Sequence, residues 1–172
     1  IESAGILGAK NLIIHSIKRN ERLPENVDHN DYNRIFYSSF IPYCEKAGIC
    51  VAVENLFIRD PKRRSFITRR LGSPEALNAI IEKINSPYIV ACVDVGHAAL
   101  TGYEPEDFIE GVKPEFLKAL HIQDTDYIDD NFLTLDVDAF HFLQGALQQL
   151  LGAEDFVAAA VGLDLGELTV QS

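Results

Sequence analysis

The amino-acid sequence predicts an α/β protein built on a mostly parallel sheet. Short, nearly continuous apolar runs alternate along the chain with segments of helical periodicity. Strands that helices cover on a parallel sheet have this composition, because both of their faces are buried. The 172 residues suffice for a sizeable core, and no apolar run reaches the ~18 residues of a membrane span. We therefore treat residues 1–172 as a single domain.

The strands and helices can be assigned in order. The predicted strands span residues 11–15, 49–55, 88–94, 116–122 and 167–171. The predicted helices span residues 32–47, 74–84, 104–112, 136–151 and 154–161. Pro42 predicts a break in the first helix because a helix-interior proline removes a backbone hydrogen bond, and Gly48 is a predicted C-cap. Ser73 followed by Pro74 predicts a helix start.

The excess of acidic residues disfavours nucleic acid as a binding partner. It carries 15 Lys and Arg against 26 Asp and Glu, a net charge of −11. Nucleic-acid binders normally have a basic face, because counterion release supplies much of their affinity, so a nucleic-acid partner is disfavoured. One local basic cluster is interpreted as a solvated loop. It comprises Arg59, Lys62, Arg63, Arg64, Arg69 and Arg70.

The cysteines indicate the compartment. Cys44, Cys50 and Cys92 are odd in number and form no CxxC pair, which favours free thiols in a reducing environment. Cys50 and Cys92 lie in predicted strands and are interpreted as small buried apolar side chains. We expect a cytoplasmic protein without a membrane partner.

Polar side chains lie at the C-terminal ends of four predicted strands. These are His15, Glu54, Asp94 and His121. In parallel α/β folds the strand ends and the loops that follow converge on one mouth. Two carboxylates and two imidazoles at such a mouth predict a divalent-metal site for Mn, Zn, Co or Mg. Taken singly, a histidine at a strand end is more often a hydrogen-bonded structural group, and Glu54 could equally be an ordinary strand terminator, so the prediction depends on their joint placement.

Further candidates lie in the adjacent loops. His97 follows Asp94 by three residues, and Gly96 between them is expected to allow a tight turn that brings both side chains to the mouth. Asp124 adds a carboxylate after the strand that carries His121.

Three motifs resemble one known family. VAVENL at 51–56, CVDVGHAAL at 92–100 and ALHIQDTD at 119–126 are similar to motifs of the xylose isomerase-like TIM barrels. This superfamily includes sugar isomerases, sugar epimerases and apurinic endonucleases of the endonuclease IV type. The resemblance implies a (β/α)8 barrel, and the five recognisable strands would match its fourth to eighth. It also implies a sugar or sugar phosphate as substrate.

The resemblance assigns roles to individual residues. It makes Glu54, Asp94 and His121 metal ligands, and Glu54 also the catalytic base that moves a proton at a carbon next to a carbonyl. His97 would bind substrate or a second metal. His15 matches a metal-site histidine of the endonuclease-type members, and we expect it to contact substrate instead. Asp124 is expected to contact substrate as well.

The sequence departs from the family pattern in the last third of the chain. Gln171 stands where the family has a second Glu, so it would be a neutral ligand unable to act as a base, and Glu167 is a candidate substitute. Phe132 replaces a histidine ligand of the endonuclease-type members, which argues against a three-metal site. Residues 136–165 are predicted to form a divergent helical segment.

The chain is also short for this fold, since a complete barrel takes about 250 residues. The incomplete barrel predicts either a piece of a longer chain or a sheet completed by a repacked tail, a swapped arrangement or a partner copy, as in a homo-oligomer.

These observations leave three functional hypotheses. The first is a divalent-metal-dependent sugar or sugar-phosphate isomerase or epimerase. The second is a non-catalytic metal-binding or assembly module that keeps Glu54, Asp94 and His121. The third, which is the least favoured, is a phosphodiesterase of the endonuclease IV type.

Overall fold

The computed structural model describes residues 1–17, 29–60, 62, 65–68, 71–122 and 157–160. The helices are α1 (Glu2–Ile6), α2 (His29–Ser38), α3 (Ile41–Ala47), α4 (Pro74–Ile84), α5 (Val95–Leu100) and α6 (Pro105–Gly111). The strands are β1 (Asn11–Ile14), β2 (Cys50–Glu54), β3 (Phe57–Asp60), β4 (Ser65–Thr68), β5 (Ile89–Asp94), β6 (Leu117–Ile122) and β7 (Val157–Ala160).

The main sheet has the strand order β1-β2-β5-β6-β7, and every adjacent pair is parallel. Chain order and spatial order agree, which is the arrangement of consecutive βα units in a (β/α)8 barrel. The chain therefore forms an incomplete TIM barrel, as the sequence predicts.

Local signals in the sequence explain where the helices begin and end. The hydroxyl of Ser73 accepts a hydrogen bond from the amide of Ala76, which caps α4, and Pro74 occupies its first turn. The predicted helix over 32–47 is two helices, α2 and α3, with Pro42 in the first turn of the second. Gly48 ends α3 with a φ of 66°, a conformation that costs a glycine little.

The two faces of the main sheet are buried differently. The outer face packs its larger side chains, such as Val51, Val93 and Leu120, into the same core as residues of the helices. The inner face is lined by small residues, and Ala52, Cys92 and Ala119 belong to a second buried cluster there. Because side chains alternate along a strand, Glu54, Asp94 and His121 lie on this inner face, at or next to the C-terminal ends of their strands.

One predicted helix is wrong. Residues 154–161 were expected to be helical, but within that range β7 pairs in parallel with β6. Alanine favours a helix on its own, yet the open edge of β6 offers a row of backbone hydrogen-bonding groups, and the gain from pairing outweighs that preference. The strand predicted over 167–171 and the other residues of the segment 136–165, which the sequence predicts to be helical, lie outside the described residues.

A hairpin that the sequence does not predict follows β2. β3 and β4 form a separate antiparallel pair, with Phe57 opposite Thr68. The ring of Phe57 packs edge-on against Phe66, with the ring centres 4.9 Å apart. Arg59 of the basic cluster thus belongs to a strand and not to a loop, and its guanidinium lies over the Phe66 ring.

Within the described part of the chain, the helices all fall short of the length and apolar content that crossing a membrane requires.

Candidate functional site

Strand register brings the predicted carboxylates and imidazole together. Asp94 ends β5 and is paired with His121 on β6, and Glu54 ends β2 beside β5. The Nδ1 atom of His121 lies 2.7 Å from Oε1 of Glu54 and 3.5 Å from Oδ2 of Asp94. The structure therefore gathers Glu54, Asp94 and His121 at one end of the sheet, as the sequence analysis expected.

Burial makes the electrostatics of this cluster strong. The side chains of Glu54 and Asp94 are each only 1% exposed. Hydrogen bonding to Asp94 and to Glu54 raises the pKa of His121 from 6.5 to about 10. In the metal-free protein at neutral pH the imidazolium thus offsets one of two buried negative charges. A divalent cation in place of that proton would offset both.

His97 reaches the cluster by a different route from the one predicted. Gly96 does not form a tight turn but lies inside the short helix α5, which starts directly after β5. The carboxylate of Asp94 accepts a hydrogen bond from the amide of His97 at 2.9 Å and so caps this helix. One helical turn then places the His97 ring near both carboxylates, with Nδ1 4.0 Å from Oε1 of Glu54.

The backbone fixes which nitrogen of His97 faces Asp94. Nδ1 lies 2.9 Å from the carbonyl oxygen of Asn55. A carbonyl oxygen only accepts, so we assign the proton to Nδ1 and the lone pair to Nε2. Nε2 lies 3.9 Å from Oδ2 of Asp94. Metal-binding histidines are oriented by this kind of hydrogen bond.

Asn55 is a site residue that the sequence analysis missed. Its side-chain amide donates to the carbonyl oxygen of Asp94 at 2.9 Å, and its side-chain oxygen accepts from the Asp94 amide at 2.6 Å. All four atoms are buried. Asn55 therefore holds the backbone of Asp94 in place, at the point where β5 ends and α5 begins. The signal was a polar residue directly after a buried strand, which needs a partner once it is buried.

The second oxygen of Glu54 has an unusual environment. Oε2 is buried, and among the described residues it makes no hydrogen bond of acceptable geometry. Nε2 of His15 lies 2.7 Å away, on a side chain that is 61% exposed. A buried carboxylate oxygen without a hydrogen bond is costly unless a cation satisfies it. His15 thus lies beside the cluster, next to Oε2 of Glu54, which is the oxygen that a cation would stabilise most.

The donor set fits a divalent cation. Two groups of three residues each place one donor atom per residue within 4.8 Å of the others. The first group is Glu54, Asp94 and His97, and the second is Glu54, Cys92 and His121. Carboxylate and imidazole donors are those of Mn, Zn and Co sites. Cys92 was interpreted as a buried apolar residue only, although its position two residues before Asp94 on one strand face placed it in the cluster.

Two predicted site residues cannot be located. Asp124 and Gln171 lie outside the described residues. Their assigned roles, substrate contact for Asp124 and metal ligation for Gln171, stay predictions.

The hairpin forms a wall beside the cluster. The ring of Phe57 packs edge-on against the ring of His97, with the centres 4.9 Å apart. β3 begins only three residues after Glu54, which keeps Phe57 near the cluster. This contact excludes water from one side of the His97 ring.

Metal binding to this cluster is expected to release a proton from His121. A ligating imidazole nitrogen must be unprotonated, whereas Asp94 and Glu54 hold the pKa of His121 at about 10 in the metal-free protein. The apparent affinity for Mn²⁺ should therefore rise by up to about tenfold per pH unit around neutrality. Calorimetric titration with Mn²⁺ in two buffers of different ionisation enthalpy counts the released protons. The His121→Gln variant should release none, and a wild-type protein that releases none would contradict the assignment.

Comparison with known proteins agrees with this description. The family model of the xylose isomerase-like TIM barrel matches residues 1–160. A search among curated proteins finds no match. Among solved structures, a D-tagatose 3-epimerase-like protein is similar with a TM-score of 0.70 and 22% identity, over 92% of this chain and 58% of that chain.

Two further structures are similar at lower identity. The 3-keto-D-glucoside 4-epimerase of E. coli has a TM-score of 0.61 and 16% identity, over 94% of this chain and 59% of that chain. The IOLI protein with a zinc atom has a TM-score of 0.60 and 15% identity, over 91% of this chain and 55% of that chain. The chain thus spans a little over half the length of these proteins, and the likeness concerns the fold. The family match over residues 1–160 shows that the chain belongs to the xylose isomerase-like TIM barrels.

Proposed function

We propose that this chain carries the metal site of a divalent-metal-dependent sugar or sugar-phosphate isomerase or epimerase. One observation supports this most strongly: a buried Glu54 lies between His15 and His121, beside Asp94, at the carboxyl ends of parallel strands. The similar structures include proteins named as sugar epimerases, which is consistent with this chemistry.

The site residues would have three kinds of role: metal ligation, proton transfer and positioning of the ligands. Glu54, Asp94 and His121 would hold the ion, with His97 as a further donor. A bound divalent ion supplies polarisation of the substrate carbonyl and hydroxyl oxygens, which makes the adjacent C–H more acidic. Glu54 takes the proton from that carbon and returns it. Asn55 positions Asp94 and His97, and the Phe57 ring shields the His97 side from water.

The proposal concerns proton transfer at one carboxylate. Epimerisation with two bases needs a second carboxylate on the opposite face of the sugar, and the family resemblance predicts Gln171 at the position of that residue. Glu54 alone suffices to remove and return a proton on one face. Exchange of a carbon-bound hydrogen is therefore the reaction to measure, whether or not the sugar's configuration inverts.

The test is incubation of the full chain with a panel of ketoses and ketose phosphates in heavy water. The chain is loaded in turn with Mn²⁺, Co²⁺, Mg²⁺ or Zn²⁺, and NMR detects deuterium at the carbon next to the carbonyl. We expect exchange with at least one sugar, and loss of exchange on adding a chelator. Bound metal without exchange for any sugar would overturn the proposal in favour of a metal-binding module. Cleavage of abasic DNA with two or three zinc ions per chain would support the endonuclease hypothesis instead.

A further inference from the structure

Cys92 lies against the same Glu54 and His121 side chains that form the candidate metal site. It is directly paired with Glu54 across β2 and β5, and it shares its strand face with Asp94. Its side chain is 0% exposed. The sulfur lies within 4.8 Å of one donor atom of Glu54 and one of His121.

We propose that Cys92 is an additional metal ligand, so that the site binds thiophilic ions through Glu54, Cys92 and His121. This inference rests on the metal site of the proposed function and not on its sugar chemistry. Donor atoms around one tetrahedral ion are separated by roughly 3.3–3.8 Å. The three donors lie within 4.8 Å of one another, so small side-chain movements bring them into one coordination sphere.

The two donor groups differ in the ions that they suit. Glu54, Asp94 and His97 offer oxygen and nitrogen, whereas Glu54, Cys92 and His121 offer oxygen, sulfur and nitrogen. Thiolate favours ions such as Zn²⁺, Co²⁺ and Cd²⁺, while Mg²⁺ and Mn²⁺ prefer oxygen. Glu54 belongs to both groups, so it would remain a ligand in either mode. The identity of the ion would then decide whether the sulfur is used.

Ligation by Cys92 would exchange one bond of the sulfur for another. A coordinating thiophilic ion would displace the thiol proton: the S–H bond would break, the proton would pass to solvent, and a metal–sulfur bond would form in its place. No oxidation or reduction is involved.

The other two cysteines lie too far from Glu54 to provide a sulfur ligand. Cys50 lies on the same inner face but its sulfur is 3.6 Å from the carbonyl oxygen of Pro87, near the opposite end of the strands. Cys44 lies in α3 and packs into the outer core. Both serve as matched controls, since each is a free cysteine remote from Glu54.

The test is a titration of the full chain with Co²⁺ followed by absorption spectroscopy. We expect the thiolate-to-cobalt charge-transfer band in the near ultraviolet, together with the visible cobalt bands. Cys92→Ser and Cys92→Ala should lose the charge-transfer band but keep the visible bands. Cys44→Ser and Cys50→Ser should keep both. Cys92→Ser should also weaken Cd²⁺ binding by roughly tenfold or more while changing Mn²⁺ binding by less than about twofold.

X-ray absorption of the wild-type protein loaded with Zn²⁺ provides a readout that needs no variant. A sulfur neighbour at about 2.3 Å is expected. Bound cobalt without a charge-transfer band, a zinc shell without sulfur, or a band that persists without Cys92 would each overturn the inference. A sulfur ligand in a protein that exchanges no sugar hydrogen would uphold this inference while the proposed function fails.

Discussion

Replacing Glu54 by glutamine is expected to abolish exchange of carbon-bound hydrogen in sugars. The amide cannot take a proton and is a poor ligand, so both the base and one metal ligand are lost. Removing a general base alone typically costs 10²- to 10⁴-fold in rate, and we expect a loss of at least about 10³-fold with metal loss added. Deuterium incorporation under metal saturation measures the first effect, and Mn²⁺ titration measures the second.

The matched control is Glu115→Gln, because Glu115 is exposed and lies just before β6, at the opposite end of the sheet. It removes the same charge and should leave exchange within about twofold of wild type. The Glu54 variant keeps the size and shape of the side chain but loses the charged partner of His121 at Oε1. Its free energy of unfolding is therefore measured by urea denaturation, and exchange is compared on folded protein only. Glu54→Gln protein that exchanges deuterium at the wild-type rate would remove Glu54 from the mechanism.

The main cluster could be predicted from the sequence because parallel strands impose it. Once residues 49–55, 88–94 and 116–122 are recognised as buried strands, their C-terminal ends must meet at one edge. Glu54, Asp94 and His121 therefore converge without any knowledge of the loops, and the structure places them within hydrogen-bonding range or close to it. The strand period of two residues supplied the remaining information, namely that they share the inner face.

Features that depend on tertiary partners could not be predicted in this way. β7 forms because β6 has an open edge, which a local reading of an alanine-rich segment does not reveal. The path of His97 depends on α5, a helix of six residues that is too short to show helical periodicity. The role of Asn55 depends on which backbone groups of β5 face it.

Cys92 illustrates a different kind of failure. Its strand position and its burial were predicted correctly, and burial was taken as a sufficient explanation for a cysteine. The structure adds that its register partner is Glu54, so the same burial places a sulfur beside a carboxylate and an imidazole. Residue type and burial thus leave the role open, and only the neighbours across the sheet restrict it.

Asn55→Ala is expected to be the most destabilising single change at the site. It removes both side-chain hydrogen bonds to Asp94 and leaves a buried amide and a buried carbonyl group without those partners. We expect a loss of about 3 kcal/mol in the free energy of unfolding, measured by urea denaturation of the metal-free protein. Because Asn55 positions Asp94 and His97, the affinity for Mn²⁺ should also fall by about 10- to 100-fold.

Asn78→Ala separates the effect of burial from that of hydrogen bonding. Asn78 makes the same two kinds of bond, donating to the carbonyl oxygen of Gly111 at 2.8 Å and accepting from the amide of Lys113 at 3.0 Å, but both bonds are exposed. Water can replace the lost partners there, so the cost should be about 1 kcal/mol or less, with metal affinity unchanged. If both variants lost the same free energy, burial would not be what makes the Asn55 bonds important. If Asn55→Ala lost stability but kept its Mn²⁺ affinity, Asn55 would stabilise the fold without positioning the site.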